Sequence, residues 1–488
     1  MIANSRVSHW LQEVRSTSGG RAASNFLRLA VCGIVSFVVI ANPYHKPPLH
    51  ILLGTTILVA SLWPLDRWLR STDLSKIPVF ELHLAFFAIC FGLAAYIDPL
   101  RRVSRLLGVD EHSYTVGLLA VIVAIAFEFI GYGLASRFRG NLLARMAPRF
   151  PVRADSIAIL CVYPAAVVVS VATKYYQITA LDQVVPSVRL FAFTWALCAA
   201  WSGSITRPLR WYVLLTIAPI EILLFGNFLL SGALYGLLSY GELIMVCYAV
   251  CRRRVLWQIA LVGVVALLVL QPVKGKFRDV IWKEGSSTSV QERLDLVADE
   301  AFAAAIDATR DGSLDDQLQN AYGRLNHLAT TSAIILTTSR EDRFEYGRTY
   351  LPILTKWIPR GIWPEKPTED LGNRWGREYG FVASDDYATS YNLPWLPEMY
   401  MNFGWTGVCG LSLCIGFLIG LLKKGILDRV KSPVEVAFGI TLASVFFFPE
   451  SNLSLTFGGV IITWISVSIA LFLIRVMRRM QVNLGGAV

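Results

Sequence analysis

Apolar residues in this chain fall into long blocks rather than an alternating pattern, and the blocks have the length of membrane-crossing helices. A bilayer core about 30 Å thick takes roughly 20 helical residues, fewer where neighbouring helices shield the ends. Spans are therefore expected near 26–43, 48–64, 78–97, 114–135, 154–172, 188–202, 210–226, 231–250 and 255–272, then near 403–422, 433–449 and 456–475. The block at 188–202 is short, and 209–250 can be divided differently, so the expected count is about twelve. Between the ninth and tenth blocks the pattern changes to a single long polar stretch. The organisation predicted is a polar N-terminal segment (1–25), a bundle of about nine helices (26–272), a large loop (273–401), about three C-terminal helices (402–476) and a tail (477–488).

Composition agrees with the pattern. With 55% hydrophobic and 16% charged residues and a mean hydropathy of +0.52, a chain of 488 residues is too apolar for a water-soluble protein. The fold class expected is an all-α polytopic membrane protein with one large periplasmic or extracellular helical loop. The net charge of +10 sits mostly in short loops on one predicted side, among them Arg137, Arg139, Arg145, Arg149 and Arg153, and Arg252-Arg253-Arg254. Lys423, Lys424, Arg429 and Lys431, and Arg475, Arg478 and Arg479, lie on the same side. Basic short loops stay cytoplasmic, which places both termini inside and the long loop outside. Arg101, Arg102 and Arg105 run against that trend. The charge is thus a topology signal rather than a nucleic-acid surface, because no basic stripe with interleaved aromatics occurs.

The first apolar block lacks a small-x-small cleavage site, so it reads as a retained helix and not a removed signal peptide. The eight cysteines lie in or beside the apolar blocks, and none falls in the long loop. Their spacing implies neither a disulfide framework nor a metal site, and no cofactor is expected.

The loop carries 15 basic and 20 acidic residues and opens with Lys274, Lys276 and Arg278. An amphipathic helix is expected over 291–309 and a second over about 316–338. On the second, Asn320, Arg324, His327 and Thr331 share a face. That face is either a solvated surface or a ligand-facing row, in which Arg324 binds an anion and His327 transfers a proton. His327 also has an ordinary structural reading. From 340 to 375 the chain turns repeatedly at Gly347, Pro352, Pro359, Gly361, Pro364 and Pro367, which oppose continuous helix. Rigid presentation would suit Arg360 and Lys366, since guanidinium and ammonium groups both match phosphate oxygens. The plain alternative is a Pro-rich surface loop with snorkelling cations. Trp357, Trp363 and Trp395 suit interfacial anchoring or sugar stacking. Glu398 precedes the next apolar core by about one turn, where loss of water makes a carboxylate a better base. Its plain alternative is an ion pair with Arg360, Lys366 or Arg278.

Taken together, Arg278, Arg324, Tyr346-Gly347 before Tyr350, Pro359-Arg360, Trp363-Pro364-x-Lys366-Pro367 and Glu398-x-Tyr400-x-Asn402-Phe403-Gly404-x-x-Gly407 resemble the Wzy-type oligosaccharide repeat-unit polymerases of bacteria. The motifs cover about 130 residues; the flanking helices match in number and placement. An Arg-x10-Gly pattern found in some members is absent from this loop, so roles tied to it are not carried over. The resemblance implies a metal-independent inner-membrane glycosyltransferase with a GT-C-like helix arrangement. Its substrates would be glycan units on undecaprenyl pyrophosphate, delivered by a flippase, with a chain-length regulator as a further possible partner. Arg278, Arg324, Arg360 and Lys366 would stabilise the pyrophosphate leaving group. Glu398 would accept the acceptor's proton, with His327 in reserve, and Trp363, Tyr400 and Asn402 would contact glycan. Tyr400 and Asn402 have helix-start packing as their plain alternative.

Three other activities share parts of this outline. An O-antigen ligase uses the same donor with a different acceptor. A transporter or flippase would use acids within spans, here Glu128, Glu221 and Glu242, although the chain shows no internal repeat. A membrane acyltransferase would need His327, the one histidine of the long loop.

Overall fold

The computed structural model describes residues 2–42, 45–96, 108–138, 156, 158–178, 181, 184–225, 234–258, 299, 326–356, 358, 363, 365–366, 370–387, 389–430, 432–447 and 449–485. Among them there is helix and no strand. The first half gives α1 (Ile2–Ala41), α2 (Pro48–Leu69), α3 (Val79–Ala95), α4 (Glu111–Arg137), α5 (Tyr163–Tyr175), α6 (Val184–Ser202), α7 (207–225) and α8 (Leu234–Arg252). The second half gives α9 (His327–Glu341), α10 (Leu351–Lys356), α11 (Leu371–Glu378), α12 (Trp395–Gly425), α13 (Pro433–Phe447) and α14 (Leu453–Gly485).

Among the described residues, six helices are long and apolar enough to cross a membrane, by length and composition: Gly19–Ala41, Pro48–Leu69, Glu111–Arg137, Val184–Ser202, Trp395–Arg429 and Leu453–Val476. Val79–Ala95, Ile159–Tyr175 and Pro433–Phe447 are shorter apolar helices. Every expected span outside 255–272 coincides with a helix, and most of 255–272 lies outside the described residues. The helix expected over 291–309 lies outside them too, apart from Asp299.

Three helices contain a π turn, at Ala88–Gly92 in α3, at Ala158–Val162 leading into α5, and at Val213–Ile217 in α7. An inserted residue of this kind re-aims the side chains that follow without ending the helix. Three expected boundaries vanish into continuous helix, the one at 476/477 because α14 runs on to Gly485. Residues 2–25 are part of α1, and α12 begins at Trp395 and passes through position 402.

The tightest contact in the bundle joins α4 and α12, which run parallel. Glycines permit it: a Cβ on Gly416 would collide with Glu128 O, one on Gly131 with Leu413 O, and one on Gly420 would lie 2.6 Å from the Ala135 Cβ. In a membrane, where apolar surface gains little by leaving lipid, such backbone approach supplies dispersion contacts that hold helices together. Lys424 fastens the far end of this pair, donating to Ser136 O and Phe138 O at 3.0 and 2.8 Å. At the same end Lys423 pairs with Glu81 at 2.7 Å, and Arg28 pairs with Asp66 at 2.6 Å. The Lys423–Glu81 and Arg28–Asp66 pairs mark one end of the bundle, and α9 with the 344–350 segment caps the other.

Gly416→Ala should cost about 1–3 kcal/mol through overpacking and lower the detergent melting temperature by several degrees. Gly410→Ala, on the same helix with open space around it, should leave melting unchanged or slightly raised.

Candidate functional site

At the capped end, α12 is interrupted. Phe403 (φ −138°, ψ 16°) and Gly404 (φ 59°, ψ −143°) leave helical geometry, and the positive φ at Gly404 suits a residue without Cβ. The break strips carbonyls of their helical donors, and the 345–347 backbone replaces them. Glu345 N donates to Met401 O at 3.0 Å, and Tyr346 N donates to Asn402 O at 3.2 Å. The Asn402 side chain completes the joint. Its Oδ1 accepts from Gly347 N, while its Nδ2 donates to Thr349 Oγ1 and to Glu398 O, each at 2.8 Å. Asn402 is fully buried with its amide engaged at both ends, so packing at the helix start is the geometry it adopts. Two motif fragments more than fifty positions apart meet here: Tyr346-Gly347 with Tyr350, and Asn402-Phe403-Gly404.

Glu398 lies one turn before Asn402 and is fully buried. Its Oε2 accepts from Leu453 N at 2.6 Å, the first residue of α14. The carboxylate therefore caps a neighbouring helix, where the positive end of the helix dipole favours negative charge. Tyr350 stands beside it. Burial, and then the charge on Glu398, raise the Tyr350 phenol above its ordinary pKa, while the nearby Asn402 amide opposes the rise.

Trp395 is buried, so it is neither an interfacial anchor nor a stacking platform. Its Nε1 donates to Thr456 Oγ1 at 3.2 Å, and its ring packs on His83, Phe446 and Phe457. Trp363, by contrast, is 38% exposed. Tyr400 is buried and its hydroxyl shares a 2.8 Å hydrogen bond with Ser339 Oγ.

The face expected on the second loop helix is not a solvated one. The helix is α9, which starts at His327 with Asn326 as its cap; Asn326 Oδ1 accepts from Leu328 N and Ala329 N. His327 is 3% exposed, with its ring 5.7 Å from Phe86 and 6.3 Å from Phe91. Thr331 is buried and donates back to His327 O. Ser332 fits against Gly117 of α4, where a Cβ would collide with its hydroxyl. The cause is that α9 packs among α3, α4 and α12 instead of standing in the loop. Asn320 and Arg324 lie outside the described residues.

Lys366 is buried, and its Nζ donates to Lys356 O at 2.9 Å and Ile358 O at 3.1 Å. It braces the end of α10, whose Lys356 side chain covers Gly458 of α14. Arg278, Arg360 and Trp357 lie outside the described residues.

Sequence reasoning missed one pair. His83 Nε2 and Glu128 Oε2 are 3.1 Å apart, and His83 Nδ1 is 3.2 Å from Phe446 O; both residues are fully buried. Glu128 was legible as an acid in an apolar block, but its partner lies 45 positions earlier on another helix. Glu221 is held by Tyr163, Tyr240 and Arg189, whose guanidinium also lies 3.4 Å from the Phe225 ring centroid. Interhelical pairing therefore accounts for Glu128 and Glu221, two of the three acids that a transporter reading would use.

No family model, curated protein or solved structure matches the chain. Its helices define the class: an all-helical protein with the apolar segments of a multi-pass membrane protein. The finer resemblance rests on the motif residues themselves.

Asn402→Ala should release the 345–350 segment from the helix break. The loss of three buried hydrogen bonds should cost about 1–3 kcal/mol and speed proteolytic cleavage near Tyr346 severalfold, read by limited digestion of the purified protein.

Proposed function

We propose that the protein is a membrane glycosyltransferase that polymerises undecaprenyl-pyrophosphate-linked oligosaccharide units into O-antigen, capsule or exopolysaccharide. The observation that carries this reading is the meeting of the two motif fragments at the α12 break, beside the buried Glu398. Residues that resemble the polymerase motifs in order also form one joint in space. On this reading the 273–401 loop is extracytoplasmic, both termini are cytoplasmic and the arrangement is GT-C-like.

In the transfer step, the acceptor hydroxyl oxygen bonds to the donor's anomeric carbon, and the bond from that carbon to the diphosphate oxygen breaks. The hydroxyl proton goes to Glu398, and the bond's electron pair leaves on undecaprenyl pyrophosphate. Arg278, Arg324, Arg360 and Lys366 stabilise that charge as it grows. Lys366 would exchange its two carbonyl partners for phosphate oxygens. His327, buried against Phe86 and Phe91, is the reserve base and would need those rings to part. Trp363 is the exposed ring to which a sugar face can stack. A flippase would supply the donor, and a chain-length regulator would set product length.

Glu398→Gln separates base from cap. Its carboxamide oxygen still accepts from Leu453 N, so the variant should fold and reach normal membrane levels. Polymer output in a complemented deletion strain should fall by about 10²–10³, on the scale of losing one catalytic polar group, leaving single repeat units on the lipid. Full-length polymer from Glu398→Gln would remove the base role. Long lipid-linked chains that accumulate without transfer would move the reading to a ligase.

A further inference from the structure

A cavity of about 350 Å³ lies at the ion-paired end of the bundle, away from Glu398, between the start of the α1 apolar segment and the residues after α8. Gly19, Tyr248, Arg254, Trp257 and Gln258 line it. Arg254 follows Arg252 and Arg253, and Asp73 from the α2–α3 connection feels the charge of Arg253. The polar side chains that line the cavity among the described residues are one guanidinium, one carboxamide, one phenol and the Trp257 indole, with no acid among them. That set suits a phosphodiester: cation for charge, amide and phenol for ester and hydroxyl oxygens.

The wall continues into an apolar track. Trp257 stacks on Phe26 of α1 with ring centroids 5.1 Å apart. From Phe26, the positions Leu29, Gly33, Phe37 and Ile40 share one face of α1 at helical spacing. Leu29 is 73% and Ile40 85% exposed, and nothing stands within 4 Å of a Cβ built on Gly33. Only 17% of the apolar window of this span is buried, against 33–72% in the other five. A basic cavity at one end of a bare apolar face has the shape of a two-part ligand.

We propose that this site binds one acidic phospholipid of the phosphatidylglycerol type, its phosphate on Arg254 and its acyl chains along the Phe26–Ile40 face of α1. Basic pockets between membrane helices select acidic headgroups in this way. The site is independent of the glycan chemistry at the other end.

The test uses the full chain in nanodiscs of phosphatidylcholine containing 0, 10 or 30% phosphatidylglycerol, read by native mass spectrometry of retained lipid and by thermal melting. The wild type should retain one phosphatidylglycerol with about fivefold preference over its share of the disc, and should melt several degrees higher in its presence. Arg254→Gln should lose both effects while melting as wild type in pure phosphatidylcholine; Arg254→Lys should keep them. If Arg254→Gln fails to fold, Gln258→Ala should weaken retention at least twofold. The proposal is overturned by equal retention of the two lipids in the wild type, or by full preference in folded Arg254→Gln or in Gln258→Ala. A thermal shift reproduced by free inorganic phosphate, with no lipid retained, would overturn it as well.

Discussion

The close parallel contact of α4 with α12 is the constraint on which the rest of the structure depends. Side chains larger than hydrogen at Gly131 and Gly416 would push the two backbones apart. With those positions open, α12 is held at a defined depth along α4, and everything α12 carries inherits that depth. Lys424 closes the arrangement at one end by donating to the terminal carbonyls of α4. At the other end the same registration sets Glu398 at the first residue of α14 and Asn402 under the 345–350 segment. A shift of α12 by one helical turn, about 5.4 Å, would break both contacts together.

The helix break converts a membrane helix into a docking edge. An unbroken helix uses its own carbonyls, so a loop crossing its end finds few acceptors. At Phe403–Gly404 the helix instead offers Met401 O and Asn402 O, and the loop supplies Glu345 N and Tyr346 N. Asn402 then serves both partners with a single amide. The left-handed φ values at Gly347 and Tyr346 follow from this docking, since the chain must reverse there while its N–H groups face α12. Gly347 also lies under the Phe403 ring, where an added Cβ would be 3.1 Å from Cζ. The Tyr-Gly and Asn-Phe-Gly fragments are thus halves of one backbone joint, which is a physical reason for them to occur in one chain.

Helix positions were legible because a 20-residue apolar block has few other stable forms: α2 and α4 fall close to their expected limits, and α14 starts close to its own but runs on to Gly485. Limits set by polar contacts were not legible. The start of α12 at Trp395 lies in a stretch that looks like the end of a loop, yet Trp395 packs against α3, α13 and α14 and Glu398 caps α14, partners encoded far away in the chain. The placement of α9 failed for a related reason. Asn320, Arg324, His327 and Thr331 read as either a solvated face or a ligand-facing row, but Thr331 and its neighbour Ser332 return their hydroxyl protons to carbonyls one turn back. A helix that satisfies its own hydroxyls can be buried on most sides, and the sequence does not distinguish that from a ligand-facing row. At the site, residue types were legible while their engagements were not. Nothing in Pro364-x-Lys366 signals that the ammonium closes on the carbonyls of residues 356 and 358.

The His83–Glu128 pair shows how ionisable groups can stand inside such a bundle without serving as a transport path. Phe446 O can only accept, so the hydrogen bond assigns the Nδ1 proton of His83. Nε2 faces Glu128 Oε2, so one hydrogen bond joins α3 to α4 there. Both residues are fully buried, so the atoms joined in this bond are spared an uncompensated loss of water. Trp395 lies against the His83 ring so held, with ring centroids 5.3 Å apart. Since Trp395 also bonds to Thr456, the pair helps set the seating of α12 against α14, and with it the place of Glu398. The packing that buries His83 and Glu128 beside α13 thus also fixes where the Glu398 carboxylate stands, with Leu453 N as its donor.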